Sequence, residues 1–189
     1  MMRSDYINMI APLVCKYAKE WGYKYPSAII GQAILESGWG QSTLAAKYNN
    51  HFGMKCGGAW KGKSVNMNTK EEYTPGVLTP IKDNFRVYDS LEEGIEGYFK
   101  FLNWSNYRNL KNATSSKNYL ELIKQDGYAT SSKYVENVYR VVTENDLLKY
   151  DNMQTQTTQT PAEPVQSQPE LKLFEIDSTN RIITIQLKY

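Results

Sequence analysis

Ile7, Ile10, Ala11, Val14, Cys15 and Ala18 recur at three- and four-residue steps, the repeat of an amphipathic helix that Ser4 can cap. After the break "GYKYPS", Pro26 at a first-turn position opens a second predicted helix, which runs to about Ser37 and stops at Gly38. A short helix over 42–47 follows. Residues 49–90 then turn rich in turn formers and β-formers, and "YTPGVL" places Pro75 and Gly76 at the centre of a type II turn between two extended runs. Along the first run Val65, Met67, Thr69, Glu71 and Tyr73 share one face, and Ser64, Asn66, Asn68, Lys70 and Glu72 the other. The capping box "SLEE", with Ser90 and Glu93, opens a helix carrying Leu91, Ile95, Tyr98, Phe99 and Leu102. Further helices are predicted over 116–125 and 132–148, the latter with Val135, Val138, Tyr139 and Val142 on one face. Helices around a small β-hairpin make an α+β domain.

Residues 153–169 hold no aromatic side chain and are dominated by Gln, Thr and Pro, a composition that cannot bury enough to fold. The expected organisation is therefore a main domain over 1–150, a linker over 151–170 and a terminal segment over 171–189. In that segment "LKLFEI" and "RIITIQLK" alternate apolar and polar residues around "DSTN". Such a two-stranded hairpin is marginal alone, so it is expected to dock on the domain or to self-associate through its edges.

With 22 basic against 20 acidic residues, the net charge of +2 gives nucleic acid no support as a partner. Two cysteines and one histidine are too few for a familiar zinc spacing, so no metal and no cofactor are expected, and Cys15 and Cys56 are read as free thiols. A Cys15 and His51 peptidase is disfavoured, because a reactive thiolate needs a helix N-terminus or a cationic pocket and Cys15 sits among apolar residues. Asp5 and Asn8 interrupt the N-terminal apolar run, which is assigned to the mature fold and not to a signal peptide. No stretch approaches the roughly 18 apolar residues of a membrane span, so no membrane insertion is expected. The 15 tyrosines exceed what a core requires, and an aromatic-lined cleft is one explanation.

Within "AILESGWGQSTLAAKYNNHFGMK" Glu36 is the single acidic residue. Ile29, Ala33 and Glu36 share a helix face, so the carboxylate prolongs an apolar stripe in the last turn, where the helix dipole disfavours negative charge. Desolvation first, and the dipole second, are expected to raise its pKa, as a general acid at working pH requires. Glycosidases commonly pair such an acid with a second carboxylate. Glu71 is the anomalous charge on the apolar face of the hairpin and is the candidate, with Glu72 as the alternative if the register slips by one residue.

The blocks "AILESGWGQS", "NNHFGMK", "WKGKSVNMNTKEEY", "FRVYDSLEEGIEGYFKFL" and "GYATSSKYVENVYRVV" occur in collinear order over about residues 4 to 148. Together they resemble the family-73 glycoside hydrolases, the bacterial peptidoglycan N-acetylglucosaminidases. The resemblance implies a lysozyme-like, mainly helical domain whose β-hairpin lobe forms one wall of a cleft. It implies an endo-acting enzyme that cleaves the β-1,4 bond between N-acetylglucosamine and N-acetylmuramic acid, with peptidoglycan glycan strands as its partner. Glu36 matches the family's catalytic acid, "T-x-E" places Thr69 and Glu71 in its β-lobe pattern, and Tyr128 of "GYAT" matches a tyrosine near the acid. Trp39, Phe52, Tyr73 and Tyr134 are the candidate sugar contacts, with core packing a competing role for Trp39. Two alternatives stay open: a muramidase or lytic transglycosylase on the same fold, and a non-catalytic wall-binding module of a phage particle. The missing leader is read as favouring a phage or prophage lysin that acts on the cell wall.

Overall fold

The computed structural model describes residues 2–74, 77–156, 173–176 and 182–185. The chain divides into two compact units, Met1–Thr158 and Gln159–Tyr189. The first contains α1 (Arg3–Trp21), α2 (Pro26–Ser37), α3 (Thr43–Tyr48), β1 (Ser64–Thr74), β2 (Val77–Arg86), α4 (Leu91–Leu102), a 3-10 helix (Ser105–Asn112), α5 (Ser116–Gln125), α6 (Tyr134–Glu144) and α7 (Lys149–Gln156). In the second, β3 (Leu173–Ile176) pairs antiparallel with β4 (Ile182–Ile185), Leu173 opposite Ile185. The "DSTN" turn and residues 157–172 lie outside the described residues. The expected domain end at 150 falls inside the main unit, because α7 continues it to Gln156.

Helix α2 is the axis of the main unit. Its residues Pro26–Ile34 and Ser37 are all buried, and only Leu35 and Glu36 reach solvent. A helix apolar on every side belongs inside a core, and α2 is flanked by α1, α5, α6 and α7. Gly31 permits the closest approach: a Cβ there would meet Val142 at 2.7 Å and Val138 at 3.1 Å, both on α6. Ile10 and Val14 of α1, Ile95 and Phe99 of α4, and Leu120 and Ile123 of α5 complete the core. Pro26 begins α2 and Gly38, at φ 56°, ends it in the left-handed region, as the sequence predicts.

The hairpin β1–β2 projects from this body. Its register sets Val65 opposite Phe85 and Thr69 opposite Ile81, and Pro75 and Gly76 lie outside the described residues. Val65, Met67 and Thr69 are half-buried, whereas Ser64, Asn66 and Asn68 are exposed, which is the expected alternation. Backbone bonds from Cys56 N to Asn84 O (2.8 Å) and from Arg86 N to Met54 O (2.9 Å) attach its base to the 50–57 segment. Ser90 caps α4 through Glu93 N (3.1 Å), while the Glu93 carboxylate accepts from Asp89 N (2.7 Å), one residue before the Ser90 amide that a strict capping box would use. Cys15 and Cys56 are not joined in a disulfide. No helix among the described residues is long and apolar enough to cross a membrane.

Two long-range contacts hold α2 at its ends. At the N-terminus, where Tyr25 supplies no side-chain cap, the Asp151 carboxylate of α7 accepts from Ser27 N (2.9 Å) and Ser27 Oγ (2.7 Å). At the C-terminus, the Tyr6 hydroxyl lies 2.9 Å from Ser37 Oγ and 3.0 Å from Nδ1 of His51, whose ring stacks on Tyr6. Burial pushes the His51 imidazole down to about 4.

Asp151→Ala removes a charged cap from a buried helix end, so it is expected to lower unfolding free energy by about 1–2 kcal/mol, and Asp151→Asn by less. Denaturant titration checks this, and an Ala variant as stable as wild type would show that the cap contributes nothing. His51 remains neutral in the native state down to about pH 4, whereas in the unfolded chain it protonates near 6.5. Its stabilisation is therefore complete above about pH 6.5 and drains away as pH falls toward 4, amounting to a loss of about 2 kcal/mol between pH 7 and pH 5. In His51→Gln that part of the pH dependence is expected to disappear, and an unchanged acid slope would rule His51 out as its source.

Candidate active site

Along α2, Ile29 and Ala33 point into the core, and Glu36, one turn further on the same stripe, emerges beyond it. The expected dry setting is not what surrounds this carboxylate: Glu36 is exposed, at the edge of the apolar packing. It lines a cleft of about 660 Å³ between the helical body and the hairpin. Immediately after it the chain reverses through three consecutive left-handed residues, Gly38 (φ 56°), Trp39 (φ 62°) and Gly40 (φ 73°). For Trp39 that conformation carries strain of about 1 kcal/mol. It is held there by edge-on packing on Tyr6 (6.3 Å) and the Arg3 guanidinium 5.0 Å over its ring. Trp39 is thus turned to α1 and is not among the residues that line the cleft.

The cleft floor is the loop 50–54. A Cβ on Gly53 would stand 3.6 Å from Glu36 Oε2, so the carboxylate lies directly over this loop. Three groups hold the loop rigid. The Asn50 side chain donates to Met54 O and Arg86 O (2.9 Å each) and accepts from Met54 N (2.8 Å), spending its amide on backbone. The Phe52 ring stacks flat on Tyr98, with centroids 3.8 Å apart, and so faces the core. The Tyr128 hydroxyl donates to Phe52 O (2.9 Å).

Tyr128 and Tyr134 both line the cleft, with ring centroids 6.0 Å apart. Burial foremost, and with it the negative charge of Glu36, holds both phenols well above their usual value. They are therefore neutral hydrogen-bonding groups beside the carboxylate. Behind them Tyr98 donates to Gln32 Oε1 (2.9 Å), and Gln32 Nε2 donates to the Tyr134 hydroxyl (2.8 Å). On the opposite wall Met67 and Thr69 of β1 face in, with the buried Arg86 at the hairpin base. Phe101, Trp104 and Tyr107 extend the helical wall as a run of rings 4.7–5.3 Å apart.

The structure thus gathers Glu36, Phe52, Tyr128 and Tyr134 in one cleft and leaves Trp39 outside it. The side chains of Glu71, Glu72 and Tyr73 lie outside the described residues; the backbone places Glu71 on β1, two residues beyond Thr69 and opposite Thr79 of β2. His51 is spent on Tyr6. Sequence reasoning missed Gln32, Asn50, Arg86 and the Phe101–Trp104–Tyr107 wall. One signal for Gln32 was present, a lone amide in the otherwise apolar run "AIIGQAIL". A buried polar group needs partners, and on this helix those partners come from other elements.

A carboxylic acid at a helix end, over a rigid floor and beside neutral phenols in an open cleft, can hand a proton to a polymer laid along that cleft. Residues 11–147 match the glucosaminidase family, described as mannosyl-glycoprotein endo-beta-N-acetylglucosaminidase. The exo-glucosaminidase LytG of Bacillus subtilis (strain 168) is 37% identical over 135 residues, which are 68% of this chain and 46% of LytG. The peptidoglycan hydrolase FlgJ of Vibrio cholerae (serotype O1) is 34% identical over 149 residues, 76% of this chain and 44% of FlgJ. The chain spans less than half the length of either relative. A crystal structure of a peptidoglycan hydrolase mutant from Sphingomonas sp. A1 superposes with a TM-score of 0.68 at 28% identity, over 79% of this chain and 97% of that one. The fold is lysozyme-like, and the chain belongs to the glucosaminidase family of glycoside hydrolases.

Proposed function

We propose that the chain is a peptidoglycan N-acetylglucosaminidase that hydrolyses the β-1,4 bond between N-acetylglucosamine and N-acetylmuramic acid. The observation that carries this reading is the emergence of Glu36 from the buried α2 into the cleft, over the Gly53 loop and beside Tyr128 and Tyr134. LytG and FlgJ, a glucosaminidase and a peptidoglycan hydrolase by name, support the substrate class. Protonated Glu36 donates its proton to the glycosidic oxygen as the bond to the anomeric carbon breaks, and water completes the hydrolysis. Glu71 of β1 is the proposed second carboxylate, countering the positive charge that develops on the sugar ring or activating the water. Tyr128 supports the acid through the floor, since its hydroxyl is committed to Phe52 O. Phe101 and Trp104 put aromatic rings on the cleft wall, a surface suited to the C–H side of a pyranose.

Glu36→Gln is expected to lower kcat on purified sacculi by about 10²–10⁴-fold with glycan binding retained, and to abolish clearing in wall-containing gels. A Gln variant that digests wall as fast as the parent ends this reading, and glycan binding without clearing by the wild type points instead to a binding module. The new reducing ends are expected to be N-acetylglucosamine; N-acetylmuramic acid there would reassign the enzyme as a muramidase. Glu71→Gln is expected to lower kcat by a factor of ten or more, on the order set by charge stabilisation, and Glu72→Gln to leave it near wild type. The reverse ranking would move the role to Glu72.

A further inference from the structure

Gln32 is fully buried and makes two side-chain hydrogen bonds, to Tyr98 on one side and Tyr134 on the other. Its two ends are chemically distinct. Oε1 can only accept and takes the Tyr98 proton; Nε2 can only donate and gives a proton to the Tyr134 oxygen. A phenol has a single proton, and with one lone pair occupied by Nε2–H the Tyr134 hydroxyl must aim that proton away from Gln32. Tyr134 and Glu36 line the same cleft. We propose that Gln32 is a positioning residue for the reaction: through the Tyr98–Gln32–Tyr134 chain it sets the Tyr134 hydroxyl so that its proton points into the cleft at Glu36.

The consequence follows from hydrogen-bond strength. A neutral phenol donating to a carboxyl group orients it, and the bond becomes charge-assisted once the acid has passed its proton to the leaving oxygen. The device acts where charge develops, so it is expected to influence kcat more than KM. Two of the groups in the chain, Tyr98 on α4 and Tyr134 on α6, come from different helices. The amide of α2 therefore joins three elements into one directed line.

The inference rests on Glu36 being the acid, and the test separates the two. Gln32→Met, which has similar volume and neither donor nor acceptor, is expected to lower kcat on sacculi about tenfold with KM within about a factor of two, as is Tyr134→Phe. The double variant is expected to be no slower than Tyr134→Phe alone, because the amide works only through that hydroxyl. Gln32→Glu gives a second readout. When protonated, the new carboxyl has one acceptor and one donor and mimics the amide; when ionised, it has only acceptors and draws the Tyr134 proton away from Glu36. Its rate relative to wild type is therefore expected to fall more steeply with rising pH than that of Gln32→Met. The phenols that face this position, Tyr98, Tyr134 and the neighbouring Tyr119 on α5, are all held well above their usual range by burial and do not titrate in this window. Glu36 is present in every variant, and the Gln32→Met ratio serves as the reference for its contribution. Additive effects at 32 and 134, a wild-type kcat in Gln32→Met, or a Gln32→Glu ratio no steeper than that of Gln32→Met would each overturn the inference. Should the Gln32 variants fail to fold, Tyr98→Phe takes their place, since it frees the amide to turn. A lowered kcat with no further loss on adding Tyr134→Phe supports the inference, and an unchanged kcat overturns it. Wild-type activity in Glu36→Gln overturns the underlying reading; additivity at 32 and 134 with an inactive Glu36→Gln overturns this inference alone.

Discussion

The burial of α2 is the constraint on which the rest of the molecule depends. Apolar packing removes its surface from water but is non-directional, and alone it would tolerate small rotations or slips of the helix within its sheath. Three buried polar side chains remove that freedom. Ser27 is held by Asp151 of α7, Gln32 by Tyr98 and Tyr134 of α4 and α6, and Ser37 by Tyr6 of α1. They stand five residues apart, at the start, middle and end of the helix, each bound to a different part of the sheath. A rotation that took Gln32 from Tyr98 and Tyr134 would strand a buried amide, at about 1–3 kcal/mol. The direction in which α2 delivers Glu36 to the cleft is therefore set by hydrogen bonds elsewhere on the helix.

The same requirement accounts for the tyrosine excess differently from a cleft lined with rings. Tyr6, Tyr17, Tyr23, Tyr98 and Tyr134 bury their rings and spend their hydroxyls on internal acceptors or donors, Tyr23 on Leu102 O at 2.9 Å. A core phenol fills space as phenylalanine does and also fastens one helix to another at a chosen point. Composition reports the number of phenols without saying which are fasteners and which meet substrate. Of the rings in the cleft, Phe101 and Trp104 were not marked by any periodic signal.

Local features were legible because their causes are local. Pro26 and Gly38 bound α2, Ser42 caps α3 through Ala45 N at 3.2 Å, and the alternation of Val65, Met67 and Thr69 assigns the inward face of β1. The features that escaped are those whose cause lies far along the chain. Asp151 looked like the first residue of a linker, but it is the cap of a helix 124 residues earlier. Asn50 looked like turn composition and is the clamp of the cleft floor. The exposure of Glu36 was misjudged for a related reason: its helical face continues an apolar stripe, but the protein body ends one turn before that stripe does. Trp39 had two readings, sugar contact and core packing, and the left-handed turn after Glu36 carries it to the second, onto Tyr6 and under Arg3.

These anchors divide the labour within the cleft. The acid sits on the most constrained helix, and its floor is tied through Asn50, Phe52 and Tyr128, so its position tolerates little movement. The opposing wall is a two-stranded hairpin joined at its base by the Lys55 to Phe85 bridge and the bonds at Asn84 and Arg86. A two-stranded sheet draws little stability from its own surface, so its geometry follows whatever packs against it. Proton donation needs an oxygen within hydrogen-bond reach of a group that does not shift, whereas stabilising a diffuse positive charge on a sugar ring works over a wider range of distance because Coulomb attraction falls only as the inverse of separation. Placing the acid on the packed helix and the proposed second carboxylate on the hairpin matches each chemical task to the part of the fold whose mechanical precision suits it.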